Sequence, residues 1–80
     1  MRVSVYITPK AGVLDPQGQA VLGSLHSLGY AEVADVRIGK YITLELEGAD
    51  PAQVEARVQE MCSRLLANPI IEDFRFEVGY

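Results

Sequence analysis

The dipeptide Asp-Pro occurs twice, at Asp15-Pro16 and at Asp50-Pro51, 35 residues apart. Each follows a run of alternating apolar and polar residues and precedes a run with helical periodicity. The pairing has a physical reason. An aspartate at the N-cap accepts a hydrogen bond from an orphan helix N–H, and proline is pre-set for the first helical position. The chain therefore divides into two strand–helix units, a weak internal repeat. Few architectures accommodate that pattern in a short chain.

The elements follow from the periodicities. Residues 2–8 alternate, with Val3, Val5 and Ile7 on one face, which predicts a half-buried strand closed by Pro9. The first helix runs from Pro16 to about Leu28, with Val21, Leu22, Leu25 and Leu28 on one stripe and Gly29 as the residue after the cap. Gly18 and Gly23 lie inside it and cost about 1 kcal/mol each relative to alanine. Either close backbone packing or simple tolerance accounts for them. Residues 32–38 read as extended, Gly39-Lys40 as a two-residue hairpin turn, and 41–47 as a strand with Ile42, Leu44 and Leu46 inward. Gln53 completes a capping-box-like pattern after Asp50. The second helix extends to about Leu66 with Val54, Val58, Met61, Cys62 and Leu65 as its stripe. Asn68 as a left-handed cap and Pro69 as a breaker stop it. Phe74, Phe76 and Val78 alternate in a last strand.

The predicted order is βαββαβ. The fold class is α+β: one domain over residues 1–80, a ferredoxin-like antiparallel sheet with both helices on one face. The opposite face carries Arg2, Tyr6, Thr8, Tyr41, Thr43, Glu45, Arg75 and Glu77. Its tyrosines fit a protein interface or ordinary exposed strand positions.

Composition narrows function mainly by exclusion. Eighty residues with a net charge of −4 form a small, acidic domain, and small cores are commonly supplemented by oligomerisation. An acidic chain without a basic run disfavours nucleic acid and anionic membranes. An RNA-binding sheet is further disfavoured by the lack of paired exposed aromatics in adjacent strands. No apolar run approaches the roughly 18–20 residues of a membrane span. The N-terminus enters a strand pattern directly, which argues against a signal peptide. A single cysteine cannot form an internal disulfide, and a cytoplasmic location is the simplest reading.

Candidate chemistry is sparse. Cys62 lies on the inward stripe, where cysteine behaves as a small hydrophobe. His26 has no acidic neighbour within a turn and no second histidine, so a metal site is not expected. Lys10 and Gly12 before a helix N-terminus suggest an anion site, but the phosphate-loop spacing is absent and Asp15 would occupy the cap. Arg37 and Lys40 flank the expected hairpin as a solvated turn or as a partner contact. Glu45 and Glu47 share a strand without a facing acid or base.

The segments K-A-G-V-L-D-P-Q-G-Q-A-V (10–21), V-R-I-G-K (36–40) and L-L-A-N-P-I-I-E (65–72) resemble the PurS family, the small subunit of phosphoribosylformylglycinamidine synthase. The resemblance spans nearly the whole chain. It implies an accessory subunit in an ATP- and glutamine-dependent ligase complex that converts formylglycinamide ribonucleotide to formylglycinamidine ribonucleotide in purine biosynthesis. It implies a homodimer or higher oligomer that bridges a synthetase and a glutaminase subunit and supports ammonia transfer. ATP and magnesium would be used by the complex, with no cofactor, metal or catalytic residue on this chain. The matching positions are Lys10, Gly12, Asp15, Pro16, Gln17, Gly18, Arg37, Gly39, Lys40, Asn68, Pro69 and Glu72. Asp15 and Pro16 are explained as a cap, Gly39 as a turn, Asn68 and Pro69 as a helix stop, and Gly12 and Gly18 by backbone shape. Lys10, Gln17, Arg37, Lys40 and Glu72 have no such explanation and are expected to contact partners. Two other uses of this element order are an amino-acid-binding ACT-like regulatory domain and an acylphosphatase-like enzyme. The latter would need a phosphate-cradling arginine after the first strand.

Overall fold

A computed structural model describes residues 1–48 and 50–79. Strand β1 (Arg2–Pro9) is central, flanked by β2 (Lys40–Glu45) and β3 (Glu72–Gly79), both antiparallel to it. Helix α1 (Pro16–Ser27) connects toward β2, and helix α2 (Val54–Met61) precedes a π-helical turn over Cys62–Leu66.

The alternation in β1 does what its period requires. Val3, Val5 and Ile7 are almost fully buried, because successive strand side chains point to opposite faces. Val54, Val58 and Cys62 of α2 and its π turn complete that core, with Ala67 at its edge. On the flanking strands Ile42, Leu44, Phe74, Phe76 and Val78 pack against this core but stay half-buried. One helix covers the centre of the sheet and leaves both margins open. The stripe of α1 contributes no residue to this core.

The caps explain the helix limits. Asp15 is the N-cap of α1 and accepts from the Gly18 N–H at 3.1 Å, with Pro16 following it. At the other end the Tyr30 N–H donates to the Leu25 carbonyl and the Gly29 N–H to that of His26, each at 3.0 Å. This is a Schellman closure, and Gly29 holds the positive φ (+100°) it needs. The second helix begins later than its Asp-Pro pair predicts. Asp50 accepts from the Ala52 N–H at 3.0 Å, but 51–53 form a turn and regular helix starts at Val54 with Gln53 as an unassisted cap. Its far end widens by one residue: the Ala67 N–H reaches the Cys62 carbonyl at 3.0 Å, an i to i+5 bond. Asn68 does not take the left-handed conformation expected of it, since no described non-glycine residue has positive φ. Its Oδ1 accepts from the Ile70 N–H at 3.1 Å, so an Asx turn across Pro69 stops the helix.

The other correction concerns residues 32–39. No ladder forms over 33–39 and Gly39-Lys40 is not a hairpin turn. Backbone donors here are taken by carboxylates: Val36 N–H by Asp35 and Ile38 N–H by Asp15. Gly39 lies against β1, where an added Cβ would sit 2.2 Å from the Ile7 carbonyl oxygen. Lys40 then enters β2 directly opposite Ile7.

Residues 13–38 thus form an arm. The helix runs out and the segment after Gly29 returns along it, held where His26 Nε2 meets the Val33 carbonyl at 2.7 Å and where Gly18 abuts the Val36 carbonyl. Close packing therefore explains Gly18, whereas Gly23 faces open space. The molecule measures 50 × 24 × 14 Å with a radius of gyration of 16.1 Å, against about 12 Å for a compact chain of this length.

On the open face of the sheet, Tyr6 and Tyr41 are register partners on adjacent strands, their rings stacked 5.2 Å apart. The expectation that adjacent strands lack paired aromatics is therefore wrong. Their pairing depends on register, which the one-dimensional pattern does not state. The Arg75 guanidinium lies 4.0 Å from the Tyr6 ring centre, and the acids of this face are each paired with a base: Glu45 with Arg2, Asp73 with Lys10 and Glu77 with Arg75.

Candidate functional site

The three sequence segments converge at one end of the sheet, around the loop from Lys10 to Gly18. The loop is clamped from three sides. Arg37 Nη2 donates to the carbonyls of Lys10 at 2.8 Å and Val13 at 2.9 Å. Lys10 donates its backbone N–H to the Ile71 carbonyl, and its Nζ meets Asp73 Oδ1 at 2.9 Å. Asp15, buried, uses both carboxylate oxygens: one accepts from Gly18, the other from the Ile38 N–H at 2.7 Å. The Ile38 and Gly18 N–H groups therefore hold the Asp15 carboxyl below its ordinary range.

The third segment locks onto the same end. Glu72 Oε1 accepts from the Asn68 N–H at 2.8 Å, and its Oε2 lies 3.8 Å from Lys40 Nζ. Pro9 pairs in register with Glu72. Lys10, Arg37, Lys40 and Glu72 thus each have an internal partner that sequence reasoning missed. Gln17 stands exposed on the first turn of α1. It borders a shallow concavity of about 210 Å³, shared with Leu14, Ile38, Lys40, Ile71 and Glu72.

Two of the concavity's apolar lining residues face solvent, Leu14 at 75% exposed and Ile71 at 44%, and Ile70, next to Ile71 in the chain, is 81% exposed. The sequence did contain a signal for Leu14. It precedes the N-cap, where an apolar residue ordinarily packs on the fourth helical position, and that position is the polar Gln19. An apolar residue denied its local partner is available to another surface.

Catalytic chemistry finds little here. Burial pushes the Cys62 thiol above its ordinary pKa, away from nucleophilic use. Among the described residues no group of three or more His, Cys, Asp or Glu is placed to hold a metal ion. An acylphosphatase-like cradle does not form: Arg37 spends its donors on loop carbonyls, Lys10 pairs with Asp73, and Asp15 fills the helix N-terminus. Among the described residues no helix is long and apolar enough to cross a membrane.

Comparison with known proteins decides between the remaining readings. A family profile named PurS, described as phosphoribosylformylglycinamidine (FGAM) synthase, matches residues 2–79. The chain belongs to the PurS family. It is similar to the phosphoribosylformylglycinamidine synthase subunit PurS of Bacillus subtilis, with 54% identity over 77 residues, covering 96% of this chain and 90% of that one. The corresponding Synechocystis protein is 49% identical over 74 residues, 92% of this chain and 74% of its own. A crystal structure of Bacillus subtilis PurS matches with a TM-score of 0.89 at 53% identity, covering 99% of this chain and 98% of that one. A chain in a structure of PurLQS from Thermotoga maritima matches with a TM-score of 0.83 at 26% identity, covering 95% and 93%. The function is that of the PurS subunit of FGAM synthase, in purine biosynthesis, and the ACT-like alternative falls away.

The Asp15 clamp carries a prediction. An asparagine in its place could offer only one acceptor oxygen, and its amide would face the Gly18 or Ile38 donor. Asp15→Asn is expected to lower the Tm by several degrees at pH 7. Because the folded-state pKa is depressed, the carboxylate's contribution is present above the unfolded value of about 3.8 and fades as pH falls through the folded value. The gap between wild type and variant, measured by thermal melts, should therefore be full at pH 6 and narrow below pH 4. A gap independent of pH would show that the charge on Asp15 does not matter.

Proposed function

We propose that this chain is a non-catalytic assembly subunit of FGAM synthase. It bridges a glutaminase subunit that releases ammonia and a synthetase subunit that uses ATP and magnesium, and it supports ammonia transfer between them in the cytoplasm. One observation carries the reading. The residues that define the motifs are used to build a clamped end of the sheet, and that end exposes Leu14 and Ile71 at a shallow concavity, with Ile70 exposed beside Ile71. Such a surface suits another folded protein better than a small substrate, which takes a deeper site. Gln17 is the motif residue best placed to touch a partner. Lys10, Arg37, Lys40 and Glu72 shape the surface and present its charge.

The elongated shape supports a second part of the reading, a homodimer or higher homo-oligomer. A radius of gyration of 16.1 Å leaves an 80-residue chain with open margins that a second copy would cover. The test is co-elution of the three purified subunits under turnover conditions. The expected result is one peak containing all three. A stable synthetase–glutaminase complex that excludes this chain would overturn the proposal.

A further inference from the structure

We propose that Arg37 is a positioning residue for assembly: its guanidinium holds the turn at 10–13 in the shape that presents Leu14 to the partner subunit as an apolar anchor. This rests on the reading that this end of the sheet docks against another subunit. The turn itself is weakly closed. The Val13 N–H donates to the Lys10 carbonyl at 3.2 Å, and Gly12, third of the four residues, holds a positive φ of +84°, the requirement of a type II turn. Ala11 and Gly12 are exposed, so nothing packs the turn into shape. Arg37 Nη2 supplies the missing hold. It donates to the first residue of the turn, Lys10, at 2.8 Å and to the last, Val13, at 2.9 Å. The nitrogen carries two hydrogens in a fixed plane, and both are used. That nitrogen therefore has no donor left for a partner.

Leu14 is fixed on both sides by the same stretch of chain. Before it, the Val13 carbonyl is held by Arg37; after it, the Asp15 carboxylate is held by the Ile38 N–H at 2.7 Å. The gripping residues are neighbours in sequence, and the segment that carries them cannot slide. At one end the Val36 carbonyl abuts Gly18, and at the other Gly39 abuts the Ile7 carbonyl. Yet the Leu14 side chain itself is 75% exposed. A backbone held this firmly beneath a solvent-facing leucine gives the fold no apolar burial in return. It does reduce the ordering that docking would otherwise have to impose on the loop. The partner's side of the contact is an apolar socket, because leucine offers no polar atom, and exposed Gln17 supplies the hydrogen-bonding rim.

The test titrates the chain into the synthetase and glutaminase subunits during turnover. It reads the concentration of chain that gives half the maximal FGAM formed per glutamine hydrolysed. Arg37→Met keeps the aliphatic stem and removes the donors; it is expected to raise that concentration about tenfold, the scale of ordering one loop residue on binding. Gly12→Val disturbs the same turn through its backbone, since a β-branched residue does not tolerate positive φ. It leaves the Arg37 charge in place and is expected to act alike, and it carries the test if Arg37→Met melts below the assay temperature. Leu14→Ala alone is expected to raise the concentration by about tenfold or more. Positioning predicts that the effects merge: with Leu14→Ala present, either turn variant adds less than about twofold. Full additivity with Leu14→Ala, or turn variants that assemble like wild type while Leu14→Ala does not, would overturn the positioning role and leave the docking end standing. Leu14→Ala that assembles like wild type would overturn both.

Discussion

Replacing Gly39 with alanine is expected to destabilise the chain by about 3 kcal/mol, the upper part of the usual range for forcing atoms into a packed site. An added Cβ would lie 2.2 Å from the carbonyl oxygen of Ile7 and 3.3 Å from its carbonyl carbon. These are backbone atoms of the central strand and cannot turn aside as a side chain would. Relief requires moving the start of β2 away from β1, which breaks the Lys40–Ile7 register pair and withdraws Lys40 from Glu72. Small domains have a total stability of only about 5–15 kcal/mol, so the loss is a large share. The contrast is Gly23→Ala on the outer face of α1, where a Cβ meets nothing. That change should stabilise by about 1 kcal/mol through helix propensity. Urea unfolding measures both. Equal midpoints for the two variants would contradict the close approach at Gly39.

The second large effect concerns assembly. Leu14→Asp combined with Ile70→Asp places two charges on side chains that are 75% and 81% exposed, so folding should be nearly untouched. If this end docks against another subunit, desolvating two unpaired carboxylates should weaken binding at least about a hundredfold. Lys10→Ala with Gln17→Ala should act more mildly. Lys10 loses a surface ion pair worth at most about 1 kcal/mol, and Gln17 loses only whatever it touches on the partner. Binding of each variant to the synthetase and glutaminase by titration calorimetry separates these cases. A double-aspartate variant that binds like wild type would remove this end from the interface.

Much of the fold was legible because its signals are local. The alternation in β1 and β3, the Asp15-Pro16 cap and Gly29 as the αL closure each depend on a few neighbouring residues. What escaped depends on distant ones. Residues 33–39 have the composition of a strand, but Asp15, more than twenty positions earlier, takes the Ile38 N–H that a ladder would need. Gly39 looked like a turn glycine because the sequence does not show that β1 passes against it. Asn68 stops its helix, but through an Asx turn and not a left-handed cap. The Tyr6–Tyr41 stack exists only once the β1–β2 register is set.

The candidate site divides in the same way. The motif positions were found, but Lys10, Arg37, Lys40 and Glu72 were left without folding roles, because their partners come from three separate segments. The exposed apolar residues Leu14, Ile70 and Ile71 were missed, since they sit in loops where no period draws attention to them. Of these, Leu14 could have been found from its missing staple partner.

As proposed above, this chain organises a glutamine-dependent synthase without performing its chemistry. The most direct test is turnover by purified synthetase and glutaminase subunits, measured as FGAM formed per glutamine hydrolysed, with this chain omitted, added, or added as the Leu14→Asp/Ile70→Asp variant. The wild-type chain is expected to bring the ratio close to one, whereas omission or the variant leaves product formation low. Undiminished product per glutamine without the chain would contradict it.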